Sequence, residues 1–227
     1  MTAARDGAVI ITCGPARVRL DEVRCLTNLA TGEIGTVLAE VLAERGWRVE
    51  LFRGAGSTAP LPRGREIQVK PFEAASDLSS AMAERSTALP PVAAVLHAAA
   101  LNDYELGRVN FIDSPDGASR SKWRSDAKEI ELRLVRSPKV LPRLRHWFGS
   151  AWIVGWKLEL DGGRTEAIAA AQQQIVEAAT DGCVVNGRAF GPGFGWLQPG
   201  GLLEEAADKN DLARRLASAL EQGCRKG

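Results

Sequence analysis

The residues best suited to chemistry lie where apolar runs give way to polar segments. Gly14 follows the apolar run 8–13, and Thr31-Gly32 opens the first amphipathic helix. Free N–H groups and a partial positive charge make a helix N-terminus suitable for binding phosphate. Asn28, three residues before Thr31, is placed to offer a neutral donor to a carboxylate or an oxyanion. An ordinary N-cap and a turn asparagine explain the same residues equally well.

Two further segments have a possible role in nucleotide binding. Small residues at 98–100, among them Ala99, would let a planar base approach the backbone, and Asp103 would accept a ribose hydroxyl. A polar stretch at about 107–128, which we call the flap, carries Arg120, Lys122 and Arg124. These cations would close over a triphosphate and supply charge for phosphate chemistry. A tight strand exit and solvated surface charges remain the simpler alternatives.

Apolar runs and amphipathic segments alternate along the chain, which predicts an α/β fold. We expect a Rossmann-like, three-layer α/β/α arrangement with a mostly parallel sheet. The predicted strands are 8–13, 47–52, 66–69, 92–100, 129–135, 151–156 and, as the last, 183–186. The predicted helices are one from Thr31 closed by Gly46, 73–86, a short one from Pro138, 165–179 and 208–222.

Composition restricts the class of protein. Apolar residues make up 45% of the 227 residues, and 29 basic against 28 acidic residues leave a net charge of +1. This balance argues against a nucleic-acid-binding or acidic-membrane-binding protein. No run reaches the roughly 18 apolar residues of a membrane span, and the N-terminal residues lack a signal-peptide layout. We therefore expect one cytoplasmic domain covering 1–227.

Neither cysteine nor histidine usage favours a metal centre. The four cysteines are scattered without CxxC spacing, so we expect reduced thiols rather than disulfides or a zinc site. Of the two histidines, His97 lies inside an apolar run and is expected to be a core residue. We accordingly assign no residue to a protein-bound metal.

Several motifs together resemble phosphopantothenoylcysteine synthetase (phosphopantothenate–cysteine ligase), over roughly residues 8–187. Residues 26–35, LTNLATGEIG, are similar to that family's Ile-Ser-Asn-x-Ser-Ser-Gly-x-x-Gly signature. Residues 98–104, AAALNDY, resemble its Ala-Ala-Val-Ala-Asp-Tyr segment, and 154–159, VGWKLE, replace Val-Gly-Phe-Ala-Ala-Glu. Lys122 falls where the family has a lysine-rich flap. In many bacteria this domain is the C-terminal half of a bifunctional coenzyme A biosynthesis flavoprotein.

The resemblance implies a two-step ligation. The carboxylate of 4′-phosphopantothenate attacks the α-phosphate of CTP (ATP in eukaryotic members), and the amine of cysteine then captures the acyl-nucleotide. Mg²⁺ would bridge the triphosphate, mostly through water and phosphate oxygens. No flavin is implied, and a companion decarboxylase would be a separate chain. The flap and the region after it imply a dimerisation extension and a homodimer.

The resemblance also implies residue roles. Asn28 would hold the substrate carboxylate and the acyl intermediate, Lys122 would neutralise charge during nucleotidyl transfer, and Arg124 would contact substrate. The residues that would contact the nucleotide are Gly14, Thr31, Gly32, Ala99, Asp103, Lys122 and Trp156.

Departures from the family motifs leave other functions open. Two lysines that usually reach the triphosphate align with Gln174 and Ala178. Lys157, Arg17 and Arg19 are candidate substitutes. Without a substitute, the chain would be a ligand-binding or regulatory homologue.

A nicotinamide-dependent reductase is a third candidate, from the Rossmann-like layout alone. Such enzymes use Tyr-x-x-x-Lys for proton transfer. Tyr104 is followed by Arg108 instead, and the glycine-rich dinucleotide fingerprint is absent from this sequence. These departures make it the least favoured of the three.

Overall fold

An eight-stranded sheet organises the chain, which a computed structural model describes over residues 7–112, 121–123 and 127–223. In chain order the strands are β1 (Ala8–Pro15), β2 (Arg17–Arg19), β3 (Cys25–Thr27), β4 (Arg48–Gly54), β5 (Ile67–Phe72), β6 (Val92–Ala100), β7 (Tyr104–Ile112), β8 (Glu129–Arg136), β9 (Trp152–Leu158), β10 (Gly182–Asn186), β11 (Phe194–Leu197) and β12 (Leu203–Ala206). The helices are α1 (Glu33–Glu44), α2 (Ala75–Arg85), α3 (Leu144–Phe148), α4 (Arg164–Ala178) and α5 (Lys209–Gly223).

The sheet is mostly parallel, with the order β12-β11-β10-β9-β6-β1-β4-β5. Pairing is parallel from β5 through β4, β1, β6 and β9 to β10. The last two strands, β11 and β12, are antiparallel. This arrangement confirms the predicted Rossmann-like sheet.

Helices cover both faces of the sheet, as predicted. Successive residues of β1 alternate between the faces: Val9 and Ile11 join the apolar cluster under α1 and α5, whereas Ile10 joins the one under α2 and α3. A third cluster lies between α4 and strands β10 and β11. Because β1 is covered on both faces, all eight of its residues are buried, which explains its apolar sequence.

The helix α1 confirms the predicted amphipathic pattern. Leu38 and Leu42 are buried beneath it. Gly46 has the left-handed φ of +83°, and its amide donates to the Ala43 carbonyl at 2.9 Å, as the predicted C-terminal stop requires. Within the described ranges, no helix combines the length and apolar character of a membrane span.

Part of the predicted flap is regular structure, so its predicted N-terminal boundary was wrong. Residues 107–112 belong to β7, which pairs with β8 in a separate antiparallel ribbon. The backbone N–H and C=O groups of β7 pair with those of β8. This pairing with a distant segment cannot be recognised from the polar sequence of 107–112 alone. Residues 113–120 and 124–126, including Arg120 and Arg124, lie outside the described residues.

Three other expectations need correction. The predicted short helix at Pro138 was wrong: a 3-10 turn begins at Leu141 and leads into α3. The strand 183–186 is not the last, since β11 and β12 extend the sheet edge beyond it. The loop after β1 contains a short hairpin, in which Val18 pairs with Leu26.

Candidate functional site

The carboxyl ends of β1, β4 and β6 meet the amino end of α1 at one edge of the sheet. Gly14 pairs with Ala99 across β1 and β6, and the Ala16 amide donates to the Ala100 carbonyl at 3.0 Å. Ligands of open parallel sheets bind beyond the carboxyl ends of the strands. The predicted residues Gly14, Ala99 and Gly32 therefore share one edge.

Asn28 is fixed at the exit of β6. Its Nδ2 donates to the Ala100 carbonyl at 3.0 Å and to Asn102 Oδ1 at 3.1 Å. Asn102 Nδ2 in turn donates to the Leu26 carbonyl at 3.4 Å. Both N–H groups of the Asn28 amide are engaged, so an incoming carboxylate must exchange with one of these acceptors. The Asn102 side chain is the more easily displaced of the two, because it can change rotamer.

A buried hydrogen-bond chain sets the backbone of β6 beside this asparagine. Thr12 Oγ1 lies 2.7 Å from His97 Nδ1, and the Ala99 amide donates to the same hydroxyl at 3.3 Å. Burial lowers the pKa of His97 to about 4, so its imidazole is neutral near pH 7. The expectation that His97 is a core residue is consistent with its 7% exposure.

Two glycines open the amino end of α1. Gly14 and Gly32 have φ of +76° and +79°, in the left-handed region that favours glycine. A Cβ at Gly14 would overlap Ser57 Oγ, and one at Gly32 would lie 2.7 Å from it. Gly32 is the N-cap residue and provides no side chain to cap the helix, while Thr31 Oγ1 accepts from the Glu33 amide at 3.3 Å. The terminus is thus bare of bulky side chains.

Sequence reasoning missed two polar residues beneath this terminus, Arg53 and Ser57. Arg53 is 7% exposed, and its Nη1 donates to Thr36 Oγ1 at 3.1 Å while its Nη2 donates to the Ala59 carbonyl. Ser57 Oγ is buried and has no hydrogen-bond partner among the described residues. The strand β4 also carries Arg48 and Glu50, so its charge alone did not single out Arg53 as a site residue.

A carboxylate ties the described part of the flap to the loop after β2. Asp21 accepts from the amides of Val23, Arg24 and Trp123, the last at 3.0 Å. Burial opposes ionisation, but these hydrogen bonds hold the pKa of Asp21 below its usual value. Trp123 is buried edge-on against Phe111, with ring centroids 5.6 Å apart. Lys122 is therefore held at its backbone on either side.

The other predicted residues are not brought into direct contact. The Lys122 side chain is exposed and makes no hydrogen bond or ion pair with any described residue. Asp103 is exposed at the exit of β6, where its carbonyl accepts from the Ser137 amide. Trp156 lies on the neighbouring strand β9, half-buried against the cluster under α1 and α5. Arg124 is outside the described residues.

The positions of the two family lysines are occupied by structural residues. Gln174 Nε2 donates to the Trp156 carbonyl at 3.3 Å, and Ala178 is buried. Of the candidate substitutes, Lys157 pairs with Glu159 at 3.2 Å, and Arg19 pairs with Glu73. Arg17 Nη2 donates to the Ala55 carbonyl at 3.3 Å. Two of the three substitutes are thus neutralised within the chain.

Two clefts flank the sheet. One of about 490 Å³ adjoins the site and is lined by Ala16, Arg17 and Asn102 among others. A larger one, of about 870 Å³, lies at the opposite, amino-terminal edge, beside Trp152 and Trp196. The smaller cleft lies at the carboxyl edge, where parallel sheets bind their ligands, and we therefore take it as part of the candidate site despite its size.

Relatives of known name match much of this chain. Coenzyme A biosynthesis bifunctional protein CoaBC of Thermococcus kodakarensis is 28% identical over 184 residues, which are 81% of this chain and 42% of that protein. CoaBC of Mycobacterium tuberculosis is 27% identical over 225 residues, covering 93% and 51%. The chain thus spans about half the length of these relatives, or less.

Solved structures share the fold. The DNA/pantothenate metabolism flavoprotein from Streptococcus pneumoniae superposes with a TM-score of 0.81 at 19% identity, covering 95% of this chain and 99% of that one. A Cab2 H337A mutant in complex with phosphopantothenate-cysteine superposes with a TM-score of 0.72 at 16% identity, covering 97% and 89%. The model of one family matches residues 4–221. The chain belongs to the family of the DNA/pantothenate metabolism flavoprotein C-terminal domain.

Proposed function

We propose that this protein joins 4′-phosphopantothenate to cysteine at the expense of a nucleoside triphosphate. Membership of the family and the resemblance of residues 26–35 and 98–104 to the ligase motifs support this proposal. The observation that carries it is the position of Asn28, bonded to the exit of β6 beside the open amino end of α1. The proposal treats residues 1–227 as one domain with this function.

The proposed reaction has two steps. The carboxylate of 4′-phosphopantothenate attacks the α-phosphorus of CTP or ATP, pyrophosphate leaves, and an acyl-nucleotide forms. The amine of cysteine then attacks the acyl carbon, the nucleoside monophosphate leaves, and one proton is lost. Asn28 Nδ2 would donate to the acyl oxygens after releasing Asn102 Oδ1. Lys122 would offset negative charge during the first step.

The remaining candidate residues divide between the two substrates. The amino end of α1, with Gly14, Thr31 and Gly32, would bind phosphate. Ala99 and Asp103 would contact the base and ribose, and Trp156 would lie along the nucleotide. Arg124 would contact the acid substrate.

Mg²⁺ would neutralise the triphosphate. Within the described ranges, no three His, Cys, Asp or Glu side chains are grouped so as to hold a metal ion. The ion would be held mostly by phosphate oxygens and water, while Asp103 contacts the ribose. The protein would then bind the ion only as part of the nucleotide complex.

A homodimer is part of the proposal. The β7–β8 ribbon exposes apolar side chains, including Tyr104, Ile112 and Leu134. A two-stranded ribbon is marginally stable in water unless another surface packs on it. Light scattering should give twice the chain mass, and Leu134→Glu should shift it towards the monomer.

We also place the reaction in the cytoplasm. Cys13, Cys25 and Cys183 are free thiols. Free thiols suit a reducing compartment.

Pyrophosphate release tests the ligase directly. Release should require phosphopantothenate, cysteine and a triphosphate together, and phosphopantothenoylcysteine should appear by mass spectrometry. Asn28→Asp should lower kcat/KM by about 10²- to 10³-fold, because a carboxylate cannot donate to the acyl oxygens. Gln172→Glu, the same amide-to-acid change on the exposed side of α4, should leave the rate unchanged. No product with either CTP or ATP would refute the proposal.

The structural roles of Gln174 and Ala178 favour one alternative, a homologue that binds the ligands without turnover. Calorimetry would then detect binding of phosphopantothenate or nucleotide, while no pyrophosphate is released. Turnover that depends on Asn28 would exclude this alternative.

A further inference from the structure

Arg53 carries a charge that no carboxylate of the described residues neutralises. The residue is 7% exposed, and no carboxylate of the described residues lies within ion-pair distance of its guanidinium. Its two hydrogen bonds go to a hydroxyl and a carbonyl, both neutral acceptors. Burying an ion without a counter-ion is strongly unfavourable. The arrangement therefore indicates an anion that the described residues do not supply.

Cys13, whose thiol feels the Arg53 charge, does not supply that anion. Burial raises the pKa of its thiol to about 11, although the Arg53 charge acts in the opposite direction. At neutral pH the thiol is therefore uncharged. A guanidinium also has five N–H donors, and bonds to the described residues use only two of them, those to Thr36 and Ala59.

Ser57 provides a second and independent indication of a ligand. Its hydroxyl is buried, has no partner among the described residues, and lies between Gly14 and Gly32. Buried hydroxyls are nearly always hydrogen-bonded, so an unpaired one points to a missing partner. Arg53 Nη1 lies 3.5 Å from the position that a Cβ on Gly32 would take. The cation, the hydroxyl and the amino end of α1 therefore converge.

We propose that Arg53 and Ser57, together with the amino end of α1, bind a phosphate group of a substrate. Arg53 would supply positive charge that the residues at 174 and 178 cannot. Lys157 and Arg19 do not supply it either, because each is paired with a carboxylate of this chain. The inference rests on the proposed function for the identity of the substrates. The phosphate belongs either to the nucleoside triphosphate or to phosphopantothenate, and the experiment separates the two.

Calorimetry on the full chain provides the test. The ligands are Mg²⁺-CTP, Mg²⁺-ATP, inorganic tripolyphosphate and phosphopantothenate, and the variants are Arg53→Gln, Arg53→Lys and Ser57→Ala. Arg53→Gln should weaken one phosphate-bearing ligand by about 10- to 100-fold, the usual loss for one charged contact. Arg53→Lys should retain most of the affinity, and Ser57→Ala should weaken it about 3- to 10-fold. Arg63→Gln, which removes an exposed charge, should bind like the wild type.

The pattern of loss identifies the phosphate. A loss for the triphosphate and for tripolyphosphate assigns the subsite to the nucleotide, whereas a loss confined to phosphopantothenate assigns it to the acid substrate. Unchanged affinity for every phosphate-bearing ligand in Arg53→Gln would overturn the inference. So would a wild type that binds none of them. A loss in Arg53→Lys as large as that in Arg53→Gln would also overturn it, since charge would not be the cause.

The two proposals fail in different ways. A wild type that binds phosphate through Arg53 but forms no phosphopantothenoylcysteine would refute the ligase and leave this subsite in place. A wild type that forms product, with an Arg53→Gln variant of unchanged KM for both phosphorylated substrates, would refute the subsite alone.

Discussion

Two arginines buried to nearly the same extent lie at opposite edges of the sheet and differ in how their charge is balanced. Arg85, 6% exposed, pairs with Glu50 at 2.7 Å and donates to the carbonyls of Ala88 and Pro90. Arg53, 7% exposed and on the same strand as Glu50, has no carboxylate partner among the described residues. The amino-terminal edge thus balances its charge internally, whereas the carboxyl edge leaves a charge for a ligand.

The pKa of Glu50 agrees with this difference. Burial opposes its ionisation, but hydrogen bonds from Lys70 and Arg85 outweigh burial and hold the pKa of the carboxyl below its usual value. Glu50 is therefore a true counter-ion near pH 7. Removing one partner from such a group leaves a buried charge unpaired, which is worse than removing both.

The largest expected effect is on Arg85. Arg85→Gln should lower the free energy of unfolding by about 3 to 5 kcal/mol, because Glu50 keeps its buried charge with Lys70 alone. Urea denaturation at pH 7 measures this. Arg65→Gln, at an exposed position, should change stability by less than about 0.5 kcal/mol. A loss below about 1 kcal/mol at Arg85 would remove the contrast between the two edges.

The next effect concerns His97, which is buried in its uncharged form. Its pKa of about 4 lies below the ordinary 6.5, so the unfolded chain binds more protons between these values and stability falls as the pH drops. Wild type should lose about 2 kcal/mol through this group between pH 7.5 and 5. Over the same pH range, the free energy of unfolding of His97→Gln should fall by about 2 kcal/mol less than that of the wild type. The variant His146→Gln, at an exposed histidine, should behave like wild type. Equal pH dependence in all three would contradict the assignment.

A smaller effect is expected at the open end of α1. Gly32→Ala and Gly200→Ala both place a Cβ at positive φ, which destabilises by about 1 to 2 kcal/mol. Only at Gly32 must the Ser57 hydroxyl also move, since no atom lies near a Cβ at Gly200. Gly32→Ala should therefore be the less stable variant in urea and bind phosphate more weakly. Equal losses in both assays would show that Ser57 is free to move.

The smallest expected effect on stability, at Arg53, distinguishes the two buried arginines most clearly. Arg53→Met should change the free energy of unfolding of the ligand-free protein by less than about 1 kcal/mol, because a buried, unpaired charge adds little to stability. At the same concentration, phosphate-bearing ligand should raise the melting temperature of the wild type by more than that of this variant. A loss as large as that of Arg85→Gln would make Arg53 a structural residue instead.

Elements with a strong sequence signal were predicted, and those that depend on distant partners were not. The apolar run of β1 and the periodicity of α1, closed by Gly46, are local features and were confirmed. The strands β11 and β12 are short, contain polar and glycine residues, and are stabilised by pairing with β10. Pro138 resembles a helix start locally, but the 3-10 turn begins only at Leu141.

The same division applies to the candidate site. The motif around Asn28 and the small residues at 98–100 lie together at the carboxyl edge of the sheet, as the sequence predicted, and their role there stays a prediction. Arg53 escaped notice because its burial depends on Thr36 and Ala59, which the fold brings together from either side of β4. A charge buried by tertiary contacts has no periodic signature in the sequence.

The Asp21 carboxylate has a consequence for how the two loops around the site vary together. The Asp21 side chain accepts hydrogen bonds from amides of both loops. Displacing either loop would therefore remove hydrogen bonds from a buried carboxylate, which is unfavourable. Substitutions near Val23 should therefore be felt at Lys122, about 100 residues later in the chain but one peptide unit from the shared anchor. The position of Lys122 therefore depends on the sequences of both loops.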